Sequence, residues 1–451
     1  MTIVSLGDVK NTKRFLRTQT ITTILNEFDE KIMQLKEEDR EAKYRKMAES
    51  PFRFYRGSAY LFYFDISRIP FSYHTPANRP IWIQGDLHFE NFGVFQNGQG
   101  KLVYDVNDFD EGYVGSYLVD VLRMIASIAL TCTEKEWDSS VKKEAINTYL
   151  SSYYKQLKRF RKGKDDPFTF MCTEKNTKGP VERVLKKMRR KQAVTLLEEY
   201  TSLAENQRYF PKTEEIVPIT EEEKQKLVTV WKEYIQTIDE EDRKKADFYH
   251  VKDIALKYGT GTASIGLKRY YLLIEGKDDT HENDIILEAK EVRTAIPAYF
   301  MPFHESFWEM YRHQGKRVVE TQKAMHHFED PYLGYFTMDN TEFYVRERSP
   351  YKKKVKLTKI ETTEDLYDTL EIMGKVTAKI HARADQDVDS KIITHHSEES
   401  ILTAIGDDFD SFAKQLIDWA LFYEEQVQTD YQIFLEWNEK RKAEGACSAT
   451  E

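Results

Sequence analysis

The stretch from 81 to 120, IWIQGDLHFENFGVFQNGQGKLVYDVNDFDEGYVGSYLVD, constrains the fold more than any other part of the chain. IWIQ, FGVF and KLVYDV are short apolar runs of strand type. The last two flank QNGQG, where Asn97-Gly98 predicts a hairpin because both residues tolerate positive φ. From Ser116 to Leu130 the chain reads as a buried helix. The hairpin returns the chain, so Asp86 and Asn91 meet Asp108-Phe109-Asp110 at one end of a small sheet.

That convergence sets a carboxylate, an amide oxygen and a second carboxylate together. Hard oxygen donors with open positions suit Mg²⁺. Phosphoryl transfer asks for little else beyond a positioned hydroxyl and preorganised positive charge.

Bulk properties narrow the setting. A chain of 451 residues is long for a single core, so more than one lobe is expected, and 13% aromatic residues predict ring-rich cores. A net charge of −9 argues against a nucleic-acid coat. The first residues hold no apolar core of signal-peptide type, and no run of about 18 apolar residues reads as a membrane span. Cys132, Cys172 and Cys447 form no CxxC pair, so a reducing cytoplasm is the simplest location.

The rest of the chain alternates in character. Residues 22–49 have helical spacing, which SPFRFYRGSAYLFYFDI breaks with an aromatic patch. Charged helical segments occupy roughly 134–162, 180–205 and 220–245. From 251 the chain turns to strands: VKDIALKYGTGTASIGLKRYYLLIEG as strand, glycine-rich turn and strand, then DIILEAKEV. A helix at KRVVETQKAMHHF and a strand pair joined at Asp339-Asn340 follow, and from about 363 the chain is helical, with one long amphipathic stretch over 399–443.

GDLHFEN followed by NDFD resembles the catalytic loop and metal-binding turn of the protein-kinase-like superfamily. The nearest branch is that of the aminoglycoside phosphotransferases and choline kinases, whose loop reads HGDxHxxN. Asp108, Gly115 and Asp120 stand at that branch's offsets, while Gln84 stands where it usually carries His. The resemblance implies that Asp86 orients or deprotonates an acceptor hydroxyl and that His88 braces the same loop. It implies that Asn91 and Asp108 hold Mg²⁺, with Asp110 or Asp105 as helpers, and that Asp120 bonds backbone amides of the loop.

The other kinase parts come after the catalytic loop. YGTGTASIG places Gly259, Gly261, Ser264 and Gly266 between two strands, where backbone amides approach phosphates. LKRYYLLIEG is a strand, which is unlike a Rossmann fingerprint, and no GxxxxGK[ST] occurs. Lys290 in ILEAKEV matches the strand lysine that contacts nucleotide phosphates, and Glu320 is its candidate partner, with Glu305 and Glu309 behind it. FYVRERSP would be the hinge, with backbone of Arg346 to Arg348 near adenine, and LYDTLEIMGKVTAKIHARAD resembles the helix that ordinarily precedes the catalytic loop.

The implied fold is α+β and two-lobed, a protein-kinase-like fold in circularly permuted order, with a helical C-lobe and a small antiparallel β nucleotide lobe. Its parts are a helical and aromatic segment at 1–80, a catalytic-loop half of the helical lobe at 81–250, a nucleotide-binding β lobe at 251–350 and completing helices at 351–451. The arrangement also resembles an uncharacterised bacterial domain-of-unknown-function family whose members share FxxFRG, DLHxxNFG, NDFDE, GxGSxGxR, KEA, RVVxGQ and AHAR. Here these read FRFYRG, DLHFENFG, NDFDE, GTASIGLKR, AKEV, RVVETQ and IHAR.

The implied activity is ATP- and Mg²⁺-dependent phosphoryl transfer to a hydroxyl of a small molecule, with no nucleic-acid or membrane partner. Adenylyl transfer by the same fold and a nucleotide-binding pseudokinase or regulatory module remain alternatives. A metallophosphoesterase also begins its site with GDLH, but its later GDxxDRG and GNHE-type segments do not occur. Arg56 is a candidate phosphate clamp or an aromatic stacker. His381 and Arg383 fit a helix cap better than a cleft wall. The adjacent pairs His326-His327 and His395-His396 lack the spacing of metal ligands on one helix face. The basic run at 351–359 adjoins the expected hinge and leaves an anionic acceptor open.

Overall fold

The structure, a computed structural model, describes residues 6–190, 194–205, 207–258, 265–277, 280–349, 351–387 and 392–448. α1 (Leu6–Asn26) passes through a π-helical turn into α2 (Glu37–Met47). Ser50 caps α3 (Pro51–Gly57) by accepting from the Arg53 amide, and Pro51 sits in the first turn, where its missing N–H has no role. α4 (Ala59–Ile66) follows directly. The aromatic stretch that was expected to break the helix is thus helical itself, and it buries Phe52, Phe54, Tyr55, Tyr60, Phe62 and Tyr63 in the main core.

β1 (Ile81–Ile83), β2 (Phe92–Gln96), β3 (Leu102–Val106) and β4 (Tyr113–Gly115) form two antiparallel pairs, β1 with β4 and β2 with β3. The expected hairpin is present, but positive φ falls on Gly100 rather than on Asn97-Gly98. The loop between Gln96 and Leu102 is long enough for the Asn97 side chain to organise it, accepting from the Gln99 and Lys101 amides at 3.1 and 2.9 Å.

The helices α5 (Tyr117–Glu134), α6 (Ser139–Arg161), α7 (Gly179–Arg189) and α8 (Val194–Tyr200) come next. Three short strands that the sequence did not announce follow: β5 (Ser202–Ala204), β6 (Gln207–Tyr209) and β7 (Ile216–Pro218). After α9 (Glu221–Thr237) come β8 (Val251–Lys257), β9 (Arg269–Ile274) and β10 (Ile285–Glu291), then α10 (Glu305–Met310) and α11 (Gln314–Met325). β11 (Gly334–Met338) and β12 (Thr341–Glu347) form the expected hairpin, with positive φ at both Asp339 and Asn340. The chain ends in α12 (Thr363–Arg383), α13 (Ser397–Ile405) and α14 (Phe409–Ser448), so the long amphipathic stretch is two helices broken at Gly406, which has φ 76°.

The chain is mixed α+β with small antiparallel sheets. The largest has the order β11-β12-β10-β9-β8-β7. Its strands are apolar on both faces because both are covered. Tyr270, Leu272 and Ile274 of β9 pack with Leu227, Trp231 and Tyr234 of α9, while Tyr271 and Leu273 pack with Leu196, Leu197 and Phe210. This period of two decides the placement of charge. On β10, Leu287 and Ala289 join the α9 side, which puts Glu288 and Lys290 on the opposite face. On β12, Phe343 and Val345 do the same and send Arg346 across with them. No helix among the described residues is long and apolar enough to cross a membrane.

A larger core joins α3–α6, the two small sheets, α12 and α14. α12 crosses α6 at Gly374, where an added Cβ would stand 2.6 Å from the Tyr149 carbonyl oxygen and 2.9 Å from Ser152 Cβ. Gly374→Ala is therefore expected to force the helices apart at a cost of about 1–3 kcal/mol. Urea unfolding reads this as a lower midpoint, and an unchanged midpoint would contradict so close a crossing.

Candidate active site

β1 delivers Gln84, Gly85 and Asp86 at the mouth of the helical core. Gly85 has φ +84°, and a Cβ there would lie 1.9 Å from the Glu111 carbonyl oxygen, so only glycine lets the two loops touch. Asp120, fully buried in the first turn of α5, accepts from the Gln84 and Gly85 amides at 2.6 and 2.9 Å. This is the backbone-bonding role expected of it. His381 Nε2 reaches the same carboxylate at 3.2 Å, and its Nδ1 meets the Tyr153 hydroxyl at 2.9 Å, so His381 ties α12 to this centre instead of capping its helix. Arg383 donates to the Ala324 carbonyl at 3.0 Å, across to the end of α11.

Gln84, the departure from the branch pattern, links the two acidic segments. Its Nε2 donates to the Asp108 carbonyl at 2.6 Å, and its Oε1 accepts from the Asp86 amide at 2.9 Å. Asp86, His88, Asp108, Asp110 and Lys290 then share the walls of one cavity of about 100 Å³. Asn91 is not among those walls. Its Nδ2 donates to the Asp86 carbonyl at 2.8 Å and closes the loop.

Each acid has its own electrostatic setting. Asp86 Oδ1 accepts from Arg123 Nε at 2.8 Å, and Oδ2 lies 3.8 Å from His88 Nε2. Burial pushes the Asp86 carboxyl above its ordinary range, against the pull of Arg123 and Arg56. Asp108 makes no hydrogen bond or ion pair with its carboxylate among the described residues. Burial pushes it up too, but Lys290, Arg346, Lys352 and Lys354 outweigh that and hold it below the usual range. Burial pushes Glu111, on the same wall, up to about 7, while its Oε2 accepts from the Ile296 amide at 2.6 Å.

Burial brings the Lys290 amine down to about 8. Its partner is Asp110, not Glu320, Glu305 or Glu309. Glu320 turns to Lys323 at 3.5 Å, three residues along its own helix. α11 instead contributes Arg317, which is fully buried and donates to the carbonyls of Gly112 and Asp110 at 2.7 and 2.8 Å.

The three aspartates left open as metal ligands separate. Asp105 is bound to Lys379 of α12 at 2.5 Å and is spent there. Among the described residues the Asp108 carboxylate makes no hydrogen bond or ion pair, and Asp110 Oδ1 is buried without a partner. Two hard anionic oxygens beside one cavity fit Mg²⁺. His88 is squeezed between donors: Arg56 Nε reaches its Nε2 at 3.1 Å and the Glu90 amide its Nδ1 at 3.1 Å. A neutral imidazole has one acceptor nitrogen, so it cannot satisfy both. Burial, with Arg56 and Arg123 beside it, holds the ring neutral. Arg56 pairs with Glu90 and lines the cavity, so its role is polar rather than stacking.

Gly259, Gly261 and Ser264 lie outside the described residues. Gly266, with φ +81°, packs on Leu35, and its neighbour Leu267 reaches the cavity wall. The expected hinge, Arg346 to Arg348, borders a second chamber of about 270 Å³. Its amides are already engaged, Glu347 N with Asp330 Oδ2 at 2.5 Å and Arg348 N with the Ile286 carbonyl at 2.8 Å. Both amides thus already have acceptors.

Residues 35–437 match the family described as "Uncharacterized protein conserved in bacteria" (DUF2252). The chain belongs to that family. No curated protein and no solved structure matches it. In this DUF2252 protein the sequence reading missed Arg123, Arg317, Gln84 and Glu111. Arg123 had a visible signal, as the one cation inside the apolar run SYLVDVLRMIASIAL. His396 also escaped it: its Nδ1 lies 3.5 Å from both Asp385 and Asp387, partners an adjacent-histidine pattern does not reveal.

The Asp120 bonds set the stability expectation for the site. Asp120→Ala strands two buried amides, and hydrogen bonds to a charged group are worth about 1.5–3 kcal/mol each. A loss of about 3 kcal/mol or more is expected in urea unfolding at neutral pH. A loss under about 1 kcal/mol would mean the loop does not depend on these bonds.

Proposed function

We propose that this DUF2252 protein is an ATP- and Mg²⁺-dependent phosphotransferase acting on a hydroxyl of a small molecule, built on a kinase-like fold in permuted order. The observation that carries the reading is one cavity shared by Asp86, Asp108 and Lys290, brought from segments far apart in the chain. The Asp120 lock on the Asp86 loop supports it. The buried thiols Cys132 and Cys172 agree with a cytoplasmic setting as part of the same reading.

In this scheme Asp86 Oδ2 orients the acceptor hydroxyl and receives its proton, because Oδ1 is held by Arg123. Burial, which raises the Asp86 carboxyl, makes it a stronger proton acceptor than a solvated carboxylate. Asp108 and Asp110 would hold Mg²⁺, which when bound neutralises charge on the phosphates. Lys290, paired with Asp110, supplies a positive charge beside them, and His88 and Asn91 keep the loop in shape.

A second reading, nucleotide binding without turnover, draws on the same Asp86–Arg123 bond, because a carboxylate pinned by a buried guanidinium is a restrained base. One experiment separates the two. ATP with Mg²⁺ at about 100 times its dissociation constant adds about 2.7 kcal/mol to the folded state, which raises the melting temperature. The rise is expected in wild type, and its loss in Asp108→Ala and Lys290→Ala. Asp86→Ala should keep the rise and lose ADP release. Binding with no ADP release from wild type across hydroxyl acceptors would favour the second reading, and no nucleotide-induced rise in wild type would end both.

A further inference from the structure

A third cleft, of about 320 Å³, lies between α4, the loop that follows it, the start of α5 and the segment 300–304. No Asp, Glu, Lys or Arg lines it, in a chain of which 32% is charged. The chambers beside Asp108 and beside Arg346 each carry several such residues. This wall is made instead of flat apolar groups. The rings of Tyr63 and Phe300 stack at 20° with centroids 6.0 Å apart, and Pro76, Pro80 and Pro302 join them. A largely apolar lining with a few polar groups, around about 300–1,000 Å³, is characteristic of small-molecule sites.

The distinctive polar groups here are two imidazoles. His74 and His304 line the cleft, and neither ring makes a hydrogen bond or ion pair among the described residues. Burial alone lowers both below the ordinary histidine range, so both rings are neutral at neutral pH. A neutral imidazole has one acceptor nitrogen and one N–H donor. His74 is exposed and His304 half-buried, so each ring can be reached from the cleft. The walls are held in place by the fold. The Thr75 amide donates to Ser116 Oγ at 3.3 Å, which ties the loop to the start of α5. An added Cβ at Gly115 would stand 2.1 Å from Met301 Cε, so the 300–304 segment closes onto a bare glycine.

We propose that this cleft binds a small uncharged aromatic molecule bearing a hydroxyl or N–H group, its ring against Tyr63, Phe300 and the prolines and its donor on His74 or His304. A charged occupant would lose water without finding a counterion in the wall, which is costly. The inference goes beyond the phosphotransfer reading and does not rest on it. Phe300 also stacks on Phe28 of the Asp86 cavity, with centroids 5.6 Å apart, so one ring is shared between two separate spaces.

Calorimetric titration of the full chain at neutral pH with 2-naphthol, an uncharged bicyclic phenol, tests this. 2-Naphthoate serves as the same ring carrying a charge. Wild type is expected to bind 2-naphthol, and to bind 2-naphthoate about tenfold or more weakly. Ala77→Trp and Ser67→Trp place a bulky ring in the cleft from exposed positions, so the core is left alone. Both are expected to weaken 2-naphthol binding about tenfold or more, and two are used so that a misfolded one does not end the test. Phe303→Ser removes a ring that is 70% exposed outside the cleft, and binding should be unchanged. Absence of 2-naphthol binding, equal binding of 2-naphthoate, or binding retained in both Trp variants overturns the proposal. Binding lost in Phe303→Ser overturns it as well, by placing the probe on the exposed ring.

Discussion

The candidate site depends on one buried carboxylate. Asp120 sits with no exposure at the start of α5, where an anion is costly unless every lone pair is engaged. It is engaged by two consecutive amides of the loop that carries Asp86 and by His381 from α12. Helix, loop and C-terminal half of the chain are thereby locked in one geometry. The contact of Gly85 with the Glu111 carbonyl then fixes the distance between the two acidic loops. Gln84 repeats the constraint from the other side by bonding both of them.

With the loops fixed, the charges have settled places. Asp86 is restrained by Arg123, Asp110 by Lys290 and Asp105 by Lys379, while among the described residues the Asp108 carboxylate makes no pair and Asp110 Oδ1 has no partner. The sheet presents its charges through simple alternation, with Leu287 and Ala289 against α9 and Glu288 and Lys290 against the cleft. One strand thus builds a core on one face and a site on the other.

Much of this was legible in the residues. The strand–loop–hairpin–helix order of 81–134 and the strand carrying Lys290 follow from apolar periodicity and turn chemistry, and the backbone-bonding role of Asp120 from the resemblance of GDLHFEN and NDFD to a kinase-like catalytic loop. What failed has a common cause. Lys290 takes Asp110 and not Glu320, because partners across the cleft are chosen by how α11 and the β3–β4 loop approach, and no sequence offset reports that. Arg317 and Arg123 sit on helices whose buried faces read as packing, so each cation looked incidental. The aromatic stretch at 51–66 is helical because tertiary burial of its rings overrides their weak helix propensity. The acceptors of the Glu347 and Arg348 amides, Asp330 and Ile286, also lie outside the FYVRERSP segment.

The central claim is that Lys290 and the acidic loops enclose the phosphates of a nucleotide. An acyl phosphate of ATP, which transfers its acyl group to a neighbouring lysine amine, tests this most directly when the labelled residue is mapped by mass spectrometry. The account predicts acylation of Lys290, whose amine burial lowers to about 8, and loss of that label when excess ATP is present. Labelling confined to exposed lysines and unchanged by ATP would contradict it.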